Sequence, residues 1–280
     1  MNKDFILEGW DLKKVPSPSF VLHLEMLEEN LKTIDKVRKD AGVEVIMALK
    51  ANATWPIFPL LAEHSDGATA SSLSEARLIA EEMKCKAHIY APVYMEEEFE
   101  EILSYSSHLT FNSLSQWKRY GERAMSAGVS CGLRINPEYS TVDTDLYNPC
   151  SPQSRLGVRR DALTDWPIGI EGLHFHALCE SRPNDLYNTL RAVEEKFGHF
   201  FSSLKWINLG GGHLITHKDY DENVLIEILK DFKSRHPHLR IILEPGSAFT
   251  WDTGVLVSRV EDVLNSGGRN VMMVNVSFAC

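Results

Sequence analysis

Short apolar runs alternate with longer amphipathic stretches along most of this sequence. Eight runs are compact and apolar, as expected for strands buried on both faces of a sheet. They cover residues 43–50, 67–71, 87–92, 108–112, 129–137, 170–178, 205–211 and 240–245. Between them, apolar residues recur three and four positions apart, which predicts helices packed by one face. The clearest helical stripes are residues 24–37, 73–83 and 186–197, the last after Asp185 as a candidate cap.

The alternation of strands and helices predicts an α/β fold whose parallel strands are joined by right-handed crossovers. Eight such units predict a closed TIM-type (β/α)8 barrel over residues 23–246. An open, doubly wound sheet is the alternative. Such a sheet is expected to carry the glycine fingerprint GxGxxG after its first strand, but this chain has Lys50-Ala51-Asn52 there.

The two ends of the chain follow a different pattern. Residues 253–260 and 270–278 are strand-like, with a Gly267-Gly268 turn between them, and residues 17–22 are strand-like as well. These segments do not form a ninth barrel unit. We therefore expect residues 1–22 and 247–280 to form a partial domain, the start of an incomplete C-terminal β domain.

The charge balance narrows the classes of partner. The 280-residue chain is 44% hydrophobic and has a formal net charge of -10, with its basic residues scattered. Because it has no basic block or stripe, nucleic acid is not an expected partner. The acidic balance is typical of an ordinary solvated surface, and it would also attract a cationic substrate.

The lack of targeting signals and the spacing of the cysteines constrain the expected cellular compartment. No apolar run reaches the roughly 20 residues of a membrane helix, and the N-terminus lacks the apolar centre of a secretory signal, so a membrane partner is not expected. The five cysteines are widely spaced and include no CxxC pair, which indicates neither a disulfide framework nor a zinc site. This cysteine usage favours the reducing cytoplasm.

Barrel enzymes place their catalytic groups at the C-terminal ends of the strands. The first strand ends in Lys50, and three environments are open for its amine. The amine is paired with an acid, or it is buried, deprotonated and reactive toward aldehydes, or it lies just past the strand in solvent. Arg134, in the fifth strand, points into the same site or forms a salt bridge inside the barrel. His174 and His176, in the sixth, share a face and are candidates for stacking on a cofactor, binding a metal or filling the core. No third metal ligand is evident.

The last two strands complete the candidate site. Gly210, Gly211 and Gly212 follow the seventh strand, where a glycine run is either a turn or a place where a phosphate approaches the backbone. Glu244, before Pro245 and Gly246, closes the eighth strand and needs a partner, either a protonated ring nitrogen or an arginine. An amine, a flat ring, a phosphate cradle and a carboxylate at one end of one barrel together describe a site for an aromatic aldehyde phosphate.

At these residues the sequence resembles the fold type III decarboxylases, which depend on pyridoxal 5'-phosphate (PLP). The resemblance runs from about Pro18 to Cys280. Its most specific segments are residues 48–52, 172–176, 210–212 and 244–246. Within the family, residues 69–75, 154–157 and 176–180 are similar to members that act on carboxynorspermidine and carboxyspermidine. The resemblance therefore implies decarboxylation of these polyamine precursors to norspermidine and spermidine, with PLP as cofactor.

The resemblance also implies roles for individual residues. Lys50 matches the lysine that holds PLP as a Schiff base, and His176 matches the histidine that stacks on its ring. Glu244 matches the acid beside the ring nitrogen, and Arg134 matches an arginine near the ring. The remaining expected cofactor contacts are the glycines Gly210, Gly211, Gly212 and Gly246. A carboxylate at the ring nitrogen favours decarboxylation, because it keeps the pyridinium protonated, whereas related racemases have an arginine there.

The substrate contacts and the chain end are less defined by the resemblance. Glu180 is a candidate partner for a substrate amine, although an exposed loop carboxylate fits equally well, and Arg155 is a second candidate. Family members continue into a β domain with a cysteine loop, which usually reaches the partner's site, and a phosphate-binding tyrosine. Cys280 does not match that cysteine, so the expectation is a truncated copy that lacks the reprotonating acid and much of the homodimer interface. The proton donor to the α-carbon is left open.

Two alternatives stay open at this point. The first is a decarboxylase of the diaminopimelate or ornithine type; Cys179 stands where ornithine-type relatives have a serine. The second is a PLP-binding remnant without catalysis, although PLP-binding barrel proteins of that kind lack the β domain that this chain is expected to begin.

Overall fold

A computed structural model of the chain describes residues 11–142, residue 146 and residues 148–277. Its helices are α1 (Leu24–Ala41), α2 (Phe58–Glu63), α3 (Leu73–Leu78), α4 (Glu96–Tyr105), α5 (Leu114–Ser126), α6 (Pro183–Phe197), α7 (Glu222–Arg235) and α8 (Ser247–Thr250). Its strands are β1 (Ser19–Leu22), β2 (Glu44–Val45), β3 (Met47–Ala48), β4 (Ala68–Ala70), β5 (Ala87–Tyr90), β6 (Ser106–Phe111), β7 (Ser130–Arg134), β8 (Gly172–His174), β9 (Trp206–Asn208), β10 (Arg240–Leu243), β11 (Gly254–Val257), β12 (Val260–Ser266) and β13 (Arg269–Val274). Two compact units result: residues 30–249, and the described residues before and after that range.

The larger unit is a parallel barrel, which confirms the predicted fold class. Its sheet runs β2-β10-β9-β8-β7-β6-β5-β4-β3, and all eight predicted strands are present. The predicted first strand is recorded as two pieces, β2 and β3, which form the two edges of this sheet. Between them the amide of Ile46 donates to the carbonyl of Leu243, and the amide of Met47 donates to the carbonyl of Gly67. One segment thus bonds to the last strand and to the second, and the barrel closes.

Helices α1, α3 and α6 form where the apolar stripes predict them, and a π-helical turn, Ile79–Met83, extends α3. Asp185 does cap α6, but from inside its first turn: the carboxylate accepts a hydrogen bond from the backbone amide of Arg182 at 2.8 Å. The connection between β7 and β8 departs from the regular pattern. Its described part contains the short 3-10 turn Arg160–Ala162 and no α-helix.

A single indole fills the middle of the barrel. Trp206 is 1% exposed and packs in one cluster with Ile46 and Ile242. A Cβ atom at Gly132 would lie 2.3 Å from this indole, and one at Gly172 would lie 2.0 Å from it. Two neighbouring strands therefore carry glycine at these positions because the indole occupies the space. The polar side chains at the C-terminal ends of the strands lie above this apolar plug.

The smaller unit contains two antiparallel pairs. Strand β1 pairs with β11, from Ser19 opposite Val257 to Leu22 opposite Gly254, so the strand-like N-terminal segment does join the C-terminal strands. Strands β12 and β13 form a hairpin whose turn residues, Gly267 and Gly268, have φ angles of +57° and +78°.

The strand predicted over 253–260 is present as β11, which ends at Val257. The residues before the Gly267-Gly268 turn form a further strand, β12, which the sequence did not predict. Phe278 and Cys280 lie outside the described residues. The predicted domain limits stay a prediction.

None of the helices in the described ranges combines the length and the apolar character needed to cross a bilayer.

Candidate active site

The C-terminal ends of the barrel strands converge on one cavity. Its lining side chains come from β3 and the turn after it, β4, β5, β7, β8 and β10. They are Lys50, Thr69, Ser71, Tyr90, Arg134, His174, His176 and Glu244. Side chains alternate between the two faces of a strand, so residues two apart, such as His174 and His176, enter the barrel together. The cavity unites the predicted amine, guanidinium, imidazole and carboxylate.

Lys50 lies in the 3-10 turn Leu49–Ala51, directly after β3, and its side chain is exposed. This is the position just past the strand that the sequence left open, so burial does not explain any reactivity of the amine. No carboxylate in the described part of the chain forms an ion pair with it. The amine therefore lines the cavity without being engaged in a salt bridge.

Glu244 is the buried acid of the cavity, with 8% of its surface exposed. The side-chain amide of Asn208 donates a hydrogen bond to Oε1 at 2.7 Å. Burial raises the pKa of the Glu244 carboxyl, and the hydrogen bond from Asn208 and the charge of Lys50 oppose that rise. A buried carboxyl whose pKa is raised by burial and lowered by neighbouring groups is suited to a cationic partner, because the partner's charge would favour the ionised form.

His174 is a neutral neighbour of this acid. Its Nε2 lies 3.8 Å from Oε2 of Glu244, which is too long for a hydrogen bond. Burial lowers the pKa of His174 well below its usual range, so the contact is not an ion pair. Neither ring nitrogen has a hydrogen-bond partner within the described ranges, and the residue is 2% exposed. Two buried polar atoms thus face the site without a hydrogen-bond partner among the described residues.

His176 has a fixed ring. The backbone amide of Gly211 donates a hydrogen bond to Nδ1 at 3.1 Å, so Nδ1 is the acceptor and Nε2 carries the proton of the neutral ring. Burial, followed by the charges of Lys50 and Arg134, lowers the pKa of His176 well below its usual range. A neutral imidazole of set orientation is suited to lie flat against an aromatic ring.

Arg134 is 5% exposed and is held from two sides. Its Nη2 donates to the backbone oxygen of His176 at 3.3 Å, and its Cζ lies 4.6 Å from the centroid of the Tyr90 ring. The Tyr90 hydroxyl in turn donates to Oδ1 of Asn112 at 2.9 Å. The guanidinium is therefore fixed by a cation–π contact and a backbone contact, and no carboxylate among the described residues forms the predicted salt bridge with it.

Sequence reasoning missed several of these residues. Tyr90, Thr69 and Ser71 line the cavity, and Asn208 contacts Glu244 directly. A signal was present, because each lies within a predicted strand, and in the structure each lies at the C-terminal end of a strand or just after it. The strand-end rule applied to every polar residue, and not only to those with strong chemistry, would have found them.

The glycine run is required by close packing. A Cβ atom would lie 2.5 Å from the Phe175 oxygen at Gly210, 2.4 Å from the Glu244 oxygen at Gly211, and 2.4 Å from the Leu178 oxygen at Gly212. Two of the three amides already have acceptors: Gly210 donates to Oδ1 of Asn208 and Gly211 donates to His176. The run joins the ends of β8, β9 and β10, and its contact with a phosphate stays a prediction.

Gly246 has a similar packing role beside the lysine turn. A Cβ atom there would lie 2.4 Å from Cβ of Ala51 and 3.0 Å from the oxygen of Ala48. Glycine lets the chain after β10 pass close to the turn that carries Lys50. Its proposed cofactor contact also stays a prediction.

The two predicted substrate contacts do not line the cavity. Arg155 is exposed, and its backbone oxygen accepts a hydrogen bond from Nδ2 of Asn112 at 2.9 Å. Glu180 is exposed on the loop after β8, with a φ angle of 46°. Their roles toward substrate stay predictions. The described residues contain no cluster of three or more side chains suited to hold a metal ion.

Comparison with known proteins bears on this geometry. The model of the pyridoxal binding domain of pyridoxal-dependent decarboxylases matches residues 24–251. A carboxyaminopropylagmatine decarboxylase from Synechocystis sp. is 48% identical over 274 residues, which cover 98% of this chain and 71% of the relative. A carboxynorspermidine/carboxyspermidine decarboxylase from Campylobacter jejuni is 38% identical over 255 residues, covering 91% of this chain and 66% of the relative.

A solved structure is similar over nearly the whole chain. It is the carboxynorspermidine decarboxylase from Campylobacter jejuni in complex with norspermidine. The TM-score is 0.85 at 36% sequence identity, covering 94% of this chain and 68% of the other. The chain thus spans about two thirds of the length of that protein.

Proposed function

The chain belongs to the family of pyridoxal-dependent decarboxylases, and from this membership we propose that it decarboxylates carboxynorspermidine or carboxyspermidine in polyamine biosynthesis. The products are norspermidine and spermidine. The chain is a carboxy-lyase and its coenzyme is PLP. One observation carries the proposal: the buried carboxyl of Glu244 and the amine of Lys50 line the same cavity at the ends of the barrel strands.

The side chains of the cavity fit this coenzyme. Lys50 offers an amine that no carboxylate in the described part of the chain engages, which suits an aldehyde. Glu244 offers a buried carboxyl that favours a cationic partner, which suits a protonated ring nitrogen. His176 offers a flat, neutral ring of fixed orientation. When bound, PLP accepts the electron pair that the departing carboxyl group leaves behind.

Glu244 is the residue that sets the reaction type. A carboxylate beside the ring nitrogen keeps the proton on that nitrogen, because the buried ion pair is favoured over two separated charges in a medium of low dielectric constant. A protonated ring withdraws electrons more strongly than a neutral one. The residue thus supports loss of a carboxyl group, whereas an arginine at the same place would disfavour the ring proton.

Lys50 and His176 position the reactants. Lys50 would hold the coenzyme covalently through its aldehyde, because its amine is the nucleophile that lines the cavity. We assign to His176 contact with one face of the ring, where its neutral state avoids a second positive charge beside the pyridinium. Arg134, fixed against Tyr90, places a permanent positive charge at the same cavity.

A substrate panel tests the proposal. The purified chain is loaded with PLP and given carboxynorspermidine, carboxyspermidine, meso-diaminopimelate or ornithine at equal concentration, and products are identified by mass spectrometry. The highest kcat/KM is expected for one of the two carboxylated polyamines. A preference for diaminopimelate or ornithine would refute the substrate assignment. A Lys50→Ala variant controls for carbon dioxide that is released without the enzyme.

One further compound should be added to that panel. The relative with 48% identity is a carboxyaminopropylagmatine decarboxylase, and it is more similar to this chain than the carboxynorspermidine/carboxyspermidine enzyme at 38%. Carboxyaminopropylagmatine is therefore the second candidate substrate. A kcat/KM for it that exceeds both carboxylated polyamines would establish this alternative.

A cytoplasmic location and a homodimer are further parts of the proposal. The sequence favours the first, and the resemblance implies the second. Light scattering on the purified protein, with and without PLP, measures the molar mass. A mass of one chain at every concentration would contradict the dimer.

A further inference from the structure

Asn208 is the last residue of β9, and both polar atoms of its side chain form hydrogen bonds. Nδ2 donates a hydrogen bond to Oε1 of Glu244 at 2.7 Å, and Oδ1 accepts one from the amide of Gly210 at 2.9 Å. The residue is 3% exposed. One carboxamide therefore connects the glycine run after β9 with the buried acid after β10.

The two bonds also fix which way the carboxamide faces. The backbone N–H of Gly210 is only a donor, so the side-chain atom that meets it must be the oxygen. The amide nitrogen then faces Glu244 and presents a donor to its carboxylate. The reverse orientation would place two donors against each other and two acceptors against each other.

We propose that Asn208 is a positioning residue for decarboxylation: it holds Glu244 in the orientation and charge state that the coenzyme ring nitrogen needs. The proposal rests on the assignment of Glu244 made under the proposed function. Asn208 does not line the cavity, so it acts through Glu244 and not on substrate or coenzyme.

The physical reason is the cost of a buried charge. Glu244 has little access to water, so its ionised form depends on donors supplied by the protein. A hydrogen bond from an amide to a carboxylate favours the ionised form and places one oxygen. Asn208 supplies that donor to Oε1. The Thr69 side chain also hydrogen-bonds the carboxyl, and the neutral ring of His174 lies 3.8 Å from Oε2.

The same glycine run also orients His176, a second side chain of the cavity. Gly210 holds Asn208, and the next residue, Gly211, donates to the ring of His176. Two successive amides thus place the imidazole directly and the acid through one intermediate side chain. This link makes the run an organiser of the site, in addition to any contact with a phosphate.

Two shape-matched substitutions test the proposal. Asn208→Leu removes the donor and keeps the branched shape, whereas Asn208→Asp replaces the donor with a second acceptor beside Glu244. The matched control is Asn136→Leu. Asn136 is 1% exposed, follows β7, has no acceptor for its Nδ2 in the described part of the chain and does not line the cavity. It controls for the general cost of replacing a buried asparagine.

The first measurement uses the protein without PLP. Infrared difference spectroscopy follows the protonated carboxyl band of Glu244, which is identified by its loss in Glu244→Gln. Loss of a hydrogen bond to a carboxylate, worth about 1.5–3 kcal/mol, is expected to raise the titration midpoint in Asn208→Leu by about one to two pH units. Asn208→Asp is expected to raise it at least as far, and Asn136→Leu is expected to leave it in place.

The second measurement uses the holoenzyme. The acid limb of the kcat/KM profile is expected to move to higher pH in both Asn208 variants, with the control unchanged. A midpoint and an acid limb that stay in place in both variants would overturn the proposal. Nitrogen NMR of labelled PLP separates this result from failure of the underlying assignment: a ring nitrogen that stays protonated in Glu244→Gln would refute the role of Glu244 itself.

Discussion

The backbone amide of Gly211 donates a hydrogen bond to Nδ1 of His176 across 3.1 Å. This bond joins the loop after β9 to the residue that follows the neighbouring strand β8. It determines which nitrogen of the imidazole carries the proton, and it fixes the plane of the ring. The backbone of Gly211 therefore controls the protonation site and the orientation of the His176 ring.

Gly211→Ala should weaken coenzyme binding. The new Cβ atom would lie 2.4 Å from the backbone oxygen of Glu244, so the loop must move away and the bond to His176 is strained or lost. Loss of one hydrogen bond, about 0.5–1.5 kcal/mol, predicts a rise of roughly two- to tenfold in the dissociation constant of PLP. An absorbance titration measures it.

Gly198→Ala is the matched control for this substitution. Its Cβ atom would meet only Cβ of Glu194, at 4.0 Å, and the φ angle of Gly198 is -58°. Its affinity for PLP should equal that of the unmodified protein. Equal affinities for all three proteins would contradict the role given to Gly211.

Lys50→Met should abolish turnover and leave folding unchanged. The side chain is exposed and forms no ion pair with a described carboxylate, so the free energy of unfolding should change by less than about 0.5 kcal/mol. Carbon dioxide release should fall by about 10⁴-fold or more, as for other covalent catalytic groups. Lys86→Met removes another exposed lysine, before β5, and should keep full activity. Retained turnover in Lys50→Met would rule out the covalent assignment.

Glu244→Gln should stabilise the protein without PLP near neutral pH. Burial raises the folded-state pKa of this carboxyl above its ordinary value of 4.5. Between the two pKa values the folded state binds more protons than the unfolded state, so stability falls as pH rises through that window. Glutamine does not ionise, so the variant does not lose stability in this window. Urea unfolding should show the variant more stable than the parent near neutral pH and the difference shrinking toward pH 4.5. A constant difference across this range would contradict the raised pKa.

His108→Phe should reduce the sensitivity of the fold to acid. Burial lowers the pKa of His108 to about 4, from an ordinary 6.5. Its ring stacks on His88 at 3.8 Å and meets the edge of Trp206, near the opposite end of the barrel from the site. Between these pKa values the unfolded state binds more protons, so stability is lost as pH falls from 6.5 toward 4. The loss amounts to about 3 kcal/mol for this group.

Several groups face this imidazole pair. The positive charge of Arg240 lowers the pKa of His108 further, whereas Glu44 and Glu171 raise it. Unfolding free energies of His108→Phe measured across this pH range should fall less steeply than those of the parent. His199→Gln, at an exposed position, serves as control. Parallel curves for parent and His108→Phe would refute the assignment.

The sequence determined the barrel and the chemical inventory of its site. Strand and helix periodicity are local properties, because each follows from which face of a segment is buried. The strand-end rule then placed Lys50, His176 and Glu244 together, because parallel strands in a barrel share one C-terminal rim. The N-terminal strand and the Gly267-Gly268 turn could be predicted for the same local reasons. The strand predicted over 253–260 is present as β11, whereas β12 was not predicted from the sequence.

Only the tertiary structure decided how these groups meet. That Asn208 donates to Glu244, and that Gly211 fixes His176, depends on the register of three neighbouring strands. The exposure of Lys50 depends on a turn that begins directly after β3. Such contacts join residues distant in sequence, and the alternation of apolar and polar positions carries no information about which inward side chains become neighbours once the sheet closes.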